Sequence, residues 1–109
     1  MAYAEELAER IRAVLAGHDK VSERKMFGGL AFMLSGNMAC GVFGDELMVR
    51  VGAEQQDSML AQPHARPMDF TGRPMKSMVY VGADGLEDDA SLATWVGRGV
   101  NYARSLPAK

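Results

Sequence analysis

Cysteine is nearly missing from this 109-residue sequence, and the single thiol, Cys40, excludes an internal disulfide. That usage suits a reducing compartment, and a cytoplasmic location is expected. Histidine is almost as scarce, with only His18 and His64. Without CxxC or HxxxH spacing these residues nominate no zinc site, so no metal is expected. Long apolar runs are also lacking. No window approaches the ~20 apolar residues that a membrane-spanning helix needs, so no membrane association is expected. Charges interrupt each apolar stretch in residues 1–20, so no secretory leader is read there. Neither sign of charge dominates, with 14 acids and 12 bases spread evenly along the chain. A clustered basic run would release counterions from nucleic acid, and its absence disfavours direct nucleic-acid binding. Neither the Walker spacing nor the dinucleotide glycine motif occurs, and no cofactor is expected.

Hydrophobic residues make up 48% and charged residues 24%, the balance of an average folded domain rather than of a disordered chain. The length fits one domain over residues 1–109. Leu7, Ile11, Val14 and Leu15 recur at helical spacing, with Tyr3 extending the stripe and Gly17 as the expected left-handed stop. Val21 to Phe27 reads as an extended lead-in or a first strand. Gly28-Gly29 then suggests a bulge or sharp bend. Leu30, Phe32 and Leu34 alternate as in a half-buried strand. Ser35-Gly36-Asn37 is turn chemistry, Met38 to Phe43 a second strand, Gly44-Asp45 a hairpin turn and Glu46 to Val51 a third strand.

The Gly44-Asp45 turn fixes a register. It sets Phe43 opposite Glu46, Val42 opposite Leu47, Cys40 opposite Val49 and Met38 opposite Val51. Side chains alternate faces, so Met38, Cys40 and Val42 share the predicted core face with Leu47, Val49 and Val51. Met33 and Met48 fall on the other face, with Met78 a candidate to join them. Glu54 to Ala61 is a short helix candidate. Residues 63–76 hold three of the four prolines and read as a long ordered loop. Ser77 to Val81 is a further strand, and Asp88 caps a last helix from Asp89 to Leu106. Leu92, Trp95, Val96, Gly99, Val100 and Ala103 form its buried stripe. The predicted class is α+β. It is a two-layer domain with a mainly antiparallel sheet of four or five strands, helices on one face, and the order α-β-β-β-β-α-β-α.

Arg24-Lys25-Met26-Phe27-Gly28-Gly29, an apolar strand and a glycine turn precede Met38-Ala39-Cys40-Gly41-Val42-Phe43. Leu47-Met48-Val49-Arg50-Val51, Pro67-Met68-Asp69-Phe70, Met78-Val79-Tyr80-Val81 and the Trp95-Val96 helix follow in order. This succession resembles the N-terminal domain of the TfoX/Sxy family over nearly the whole chain. The best-known members of that family are transcriptional coactivators of bacterial competence and carry a second, C-terminal domain. The chain is expected to represent the first domain standing alone. The resemblance implies the same fold, a regulatory or protein-binding role, and no catalytic residues to carry over.

Read one by one, the candidate residues favour binding over catalysis. Cys40 sits on the predicted core face, where a thiol is a small hydrophobe rather than a nucleophile. His64 lies in the proline-rich segment, and an imidazole there admits a ligand or acid–base role. Arg24, Lys25, Arg50, Arg66, Arg73 and Lys76 are the bases of the middle of the chain, and they are candidate contacts for an acidic partner or anion. The methionines of the second sheet face are candidates for an adaptable contact surface. The leading expectation is a non-enzymatic module that binds a protein partner, a homodimer among the arrangements admitted. The alternative is a small ligand-binding protein or enzyme holding an anion with His64, Arg66 and Arg73.

Overall fold

From Val21 onward the sequence alternates strand and turn. The computed structural model, which describes residues 4–26, 29–69 and 74–107, pairs those strands into one antiparallel sheet. Helix α1 spans Glu5–Leu15 and is followed by strands β1 Val21–Met26, β2 Gly29–Leu34, β3 Asn37–Phe43 and β4 Glu46–Arg50. Helix α2 is Gln56–Leu60, then come β5 Ala65–Asp69, β6 Pro74–Val81, a 3₁₀ turn at Ala83–Leu86 and helix α3 Asp89–Arg104. The sheet order is β1-β2-β3-β4-β6-β5. None of the helices among the described residues is long and apolar enough to cross a membrane.

The α+β class holds, but the sheet has six strands among the described residues where four or five were predicted. One addition is Val21–Met26, left open in the sequence, which pairs with β2 as an edge strand. The other is β5, which lies inside the segment predicted to be a loop. Its prolines explain the difference. Pro67 has no N–H to donate, yet an edge strand tolerates it, and Pro74 is the first residue of β6. The helix candidate at 54–61 shrinks to Gln56–Leu60, and the last helix ends at Arg104 rather than Leu106. Helix α1 stops where expected, but the left-handed residue after it is Lys20, at φ 61°, and not Gly17. Phe27, Gly28, Tyr3 and Phe70 to Arg73 lie outside the described residues.

The hairpin register is as predicted at three pairs, Cys40 with Val49, Val42 with Leu47 and Phe43 with Glu46. The β2–β3 turn is tighter than a three-residue loop. Ser35 and Gly36 both take positive φ, 51° and 84°, as a two-residue type I′ turn requires. The β2–β3 pairing then slips between Phe32 and Met33, so Phe32 faces Cys40 while Met33 faces Met38. Ala39 is the extra residue of this bulge. Ala39 and Cys40 consequently both join the core, and Met38 packs with Met48, Met78 and Tyr80 on the other face. The expectation that Met38 shares the core face is thus corrected, because a bulge breaks the two-residue alternation.

Helices α1 and α3 cover the core face. Leu7, Ala8, Ile11 and Leu15 of α1 are buried, and the predicted α3 stripe, Leu92 to Ala103, is buried as read. Each leucine, isoleucine or valine among them contributes about 1.5–3 kcal/mol by leaving water. Asp88 caps α3 by accepting from the Ser91 N–H at 3.0 Å. Arg12 of α1 grips Glu23 of β1 with two bonds of 2.7 and 2.8 Å, and Arg10 reaches Asp89 at 3.2 Å. Asn37, a buried polar residue, donates its amide to the Pro107 carbonyl at 2.9 Å.

Helix α3 lies closest to the sheet at Gly99. A Cβ there would stand 2.2 Å from the Ala39 carbonyl oxygen, a backbone atom that cannot swing aside. Gly99→Ala is therefore expected to lower stability by about 1–3 kcal/mol through overpacking. Urea denaturation checks this. An unchanged midpoint would show that α3 does not sit on the bulge.

Candidate functional site

The site begins where β4 runs out. After Val51 the chain turns at Gly52, which holds φ 86°, and the Val51 and Gly52 N–H groups both donate to the Ser77 carbonyl, at 2.8 and 3.1 Å. Tyr102 of α3 lies directly on Gly52, where any Cβ would stand 2.5 Å from its ring. A glycine is thus required twice over, for its backbone angle and as the seat of Tyr102. Helix α2 then passes beside α3, with Met59 and Leu60 partly buried against the core. The segment after α2 ends at His64, whose φ of 70° lies in the left-handed region. Its carbonyl accepts from the Gly82 N–H at 3.0 Å, and its ring rests on Gly85.

These elements leave a groove along α3. It consists of two open pockets of about 310 Å³ each, and Arg98 lines both. One pocket lies among Pro63, His64, Ser91, Thr94 and Trp95. The other lies among Val51, Gln55, Met59, Asn101 and Tyr102. The Arg98 guanidinium carbon stands 4.4 Å from the centroid of the Trp95 ring, and that of Arg50 stands 5.2 Å from the centroid of Tyr102. Stacking of this kind holds a planar cation in place without neutralising it. Neither Arg50 nor Arg98 has a carboxylate partner among the described residues, whereas Arg10 and Arg66 each hold one and Arg12 holds two. The Ser91 and Thr94 hydroxyl protons are already donated, to Asp88 at 2.8 Å and to the Ala90 carbonyl at 2.9 Å.

The structure separates the residues singled out in the sequence. His64 borders the α3 groove, whereas Arg50 lines neither of its pockets and is tied to it only through the Tyr102 ring. Arg66 lies elsewhere, paired with Glu46 and stacked 4.8 Å over Tyr80. Arg24 and Lys25 are exposed on edge strand β1, and Arg73 is outside the described residues. On the second face, Met48, Met78 and Tyr80 are buried to 1%, 5% and 8% exposure, so they fill a small secondary core. Trp95, Arg98 and Tyr102 are the groove residues that sequence reasoning missed, since Trp95 reads as core alone. Their spacing carried a signal. Residues three and seven positions apart line one flank of a helix, here beside the buried stripe. Among the described residues no group of three His, Cys, Asp or Glu side chains could hold a metal.

Cys40 is fully buried, and burial pushes its thiol up to about 12. In the unfolded chain it ionises near pH ~8.5. Between these values the folded state binds more protons, so stability falls as pH rises through that window and is unaffected by this group below it. Burial raises the Tyr80 phenol in the same direction. Urea midpoints are expected to decline from about pH 8.5 upward. Cys40→Ala, though less stable at neutral pH, should decline less steeply, and equal slopes in the two proteins would refute this role of the thiol.

Comparison with curated proteins and with solved structures gave no significant match. The TfoX N-terminal domain family, by contrast, matches residues 13–103, from within α1 to the last turn of α3. That span takes in the strands of the sheet, the bulge, the Gly52 turn and the groove, and the chain belongs to the TfoX N-terminal domain family.

Proposed function

We propose that the domain is a non-enzymatic, cytoplasmic regulatory module that binds another protein through the groove along α3. The observation that carries this reading is Arg98, which lines both pockets, stacks on Trp95 and has no carboxylate partner among the described residues, with Tyr102 lining the second pocket. Tryptophan, tyrosine and arginine are the residues that most often dominate binding energy at protein interfaces. Family membership supports a regulatory role in the same direction. The distribution of bases disfavours a nucleic-acid partner, because Arg10, Arg12 and Arg66 are held in ion pairs on different sides of the fold.

A second reading rests on the pocket that His64 shares with Arg98, which could hold a small anion. It differs from the set His64, Arg66 and Arg73, because Arg66 is turned to Glu46. Thermal-shift screening of metabolites would support it through a stabilisation that disappears in Arg98→Ala.

The groove can be blocked without disturbing the core at Thr94 and Asn101, both exposed. Partners captured by the full chain are expected to be lost from Thr94→Arg and Asn101→Arg and retained by Lys25→Glu on the edge strand. Sedimentation of the same proteins shows whether the partner is a second copy. Retention of every partner by the blocked variants would overturn the groove as the binding surface.

A further inference from the structure

The pocket between His64 and α3 is polarised along the helix. Arg98 leans toward the N-terminal end of α3, as long helical side chains do. Its guanidinium carbon stands 4.4 Å from the ring centroid of Trp95, three residues earlier in the helix. The cation is thereby drawn toward Ser91 and Thr94, which line the same pocket of about 310 Å³. The first turns of α3 have the opposite character. Asp88 is a carboxylate and can only accept, so the Ser91 hydroxyl gives its proton to it at 2.8 Å. The Thr94 hydroxyl gives its proton to the Ala90 carbonyl at 2.9 Å. Both hydroxyl oxygens are left with lone pairs alone to offer a ligand. The Ser91 side chain and N–H hold the Asp88 carboxyl below its usual range, so a full negative charge stands one hydrogen bond behind Ser91. Gln62 and His64 line the same pocket.

We infer that this pocket binds a zwitterion of the free amino-acid class, with its carboxylate on Arg98 and its ammonium on the hydroxyl oxygens of Ser91 and Thr94. The inference rests on the small-anion reading of the pocket given above. A bare anion satisfies only Arg98, and its own lone pairs would face those of Ser91 and Thr94. An ammonium brings three donors and no acceptor, which is what those oxygens lack, and Asp88 behind them complements its charge. The carboxylate accepts paired N–H bonds from a guanidinium that no acid of the described residues neutralises. The volume lies at the small end of ligand sites and suits a single amino acid.

The test screens the full chain against each of the common amino acids by thermal midpoint and follows with titration calorimetry. At least one amino acid is expected to raise the midpoint. Its N-acetylated form, which lacks the ammonium, and its amide, which lacks the carboxylate, should each bind about tenfold or more weakly. Arg98→Ala should bring a loss of the same size. Thr94→Val keeps the shape and removes the oxygen, so it should weaken the amino acid and leave succinate unaffected. Melts without ligand establish that each variant is folded. An N-acetylated acid that binds as tightly as the free amino acid, or an amino acid indifferent to Thr94→Val, would overturn the inference. So would a shift with succinate or inorganic phosphate and with no amino acid. In each of these cases the small-anion reading survives if Arg98→Ala abolishes the response. No shift with any amino acid, succinate or phosphate would sink both.

Discussion

The seating of α3 on the sheet depends on one close approach, Gly99 over the carbonyl of Ala39. Two irregularities meet there. The bulge in β3 places Ala39 and Cys40 together on the core side, and a helical glycine admits the protruding backbone. With α3 held this low, Val96 and Val100 reach the core and are buried. The flank of the helix bearing Trp95, Arg98 and Tyr102 is then held at the height of α2, which creates the groove. The same bulge sends Met38 to the other face, where it completes the cluster of Met48, Met78 and Tyr80. A sheet that would otherwise have one apolar face thereby gains a modest second core.

Much of this was legible because local chemistry and long-range structure agree. The Gly44-Asp45 turn fixed a register that the structure reproduces at each pair from Phe43 to Cys40. The α3 stripe and the Asp88 cap were readable for the same reason, since each depends on residues within a few positions. The failures share a different cause. Nothing local to Ala39 announces a bulge, because its backbone is set by its partner in β2. β5 was hidden by Pro67, which is admissible there because the strand lies on an edge, and edge position is a property of the whole sheet.

The candidate site was less legible than the fold. Basic residues are easily found in a sequence, but whether a base is already neutralised is decided by tertiary contacts. Arg66 and Arg50 look alike in the chain. One is spent on Glu46 and the other lies on Tyr102. Arg98 did not stand out at all, because it sits beside a stripe that explains its neighbours. The distinction that matters is between cations that stabilise the domain and cations left available to a second molecule.

The two edges of the sheet have a consequence for behaviour in solution. β1 presents Glu23, Arg24 and Lys25 in succession, and β5 interrupts its outer backbone with Pro67 and with a register shift before Asp69. An open sheet with regular edges recruits further strands and grows. Here incoming backbone meets adjacent charges on one side, and a missing donor with uneven spacing on the other. The chain can therefore be concentrated without templating its own precipitation.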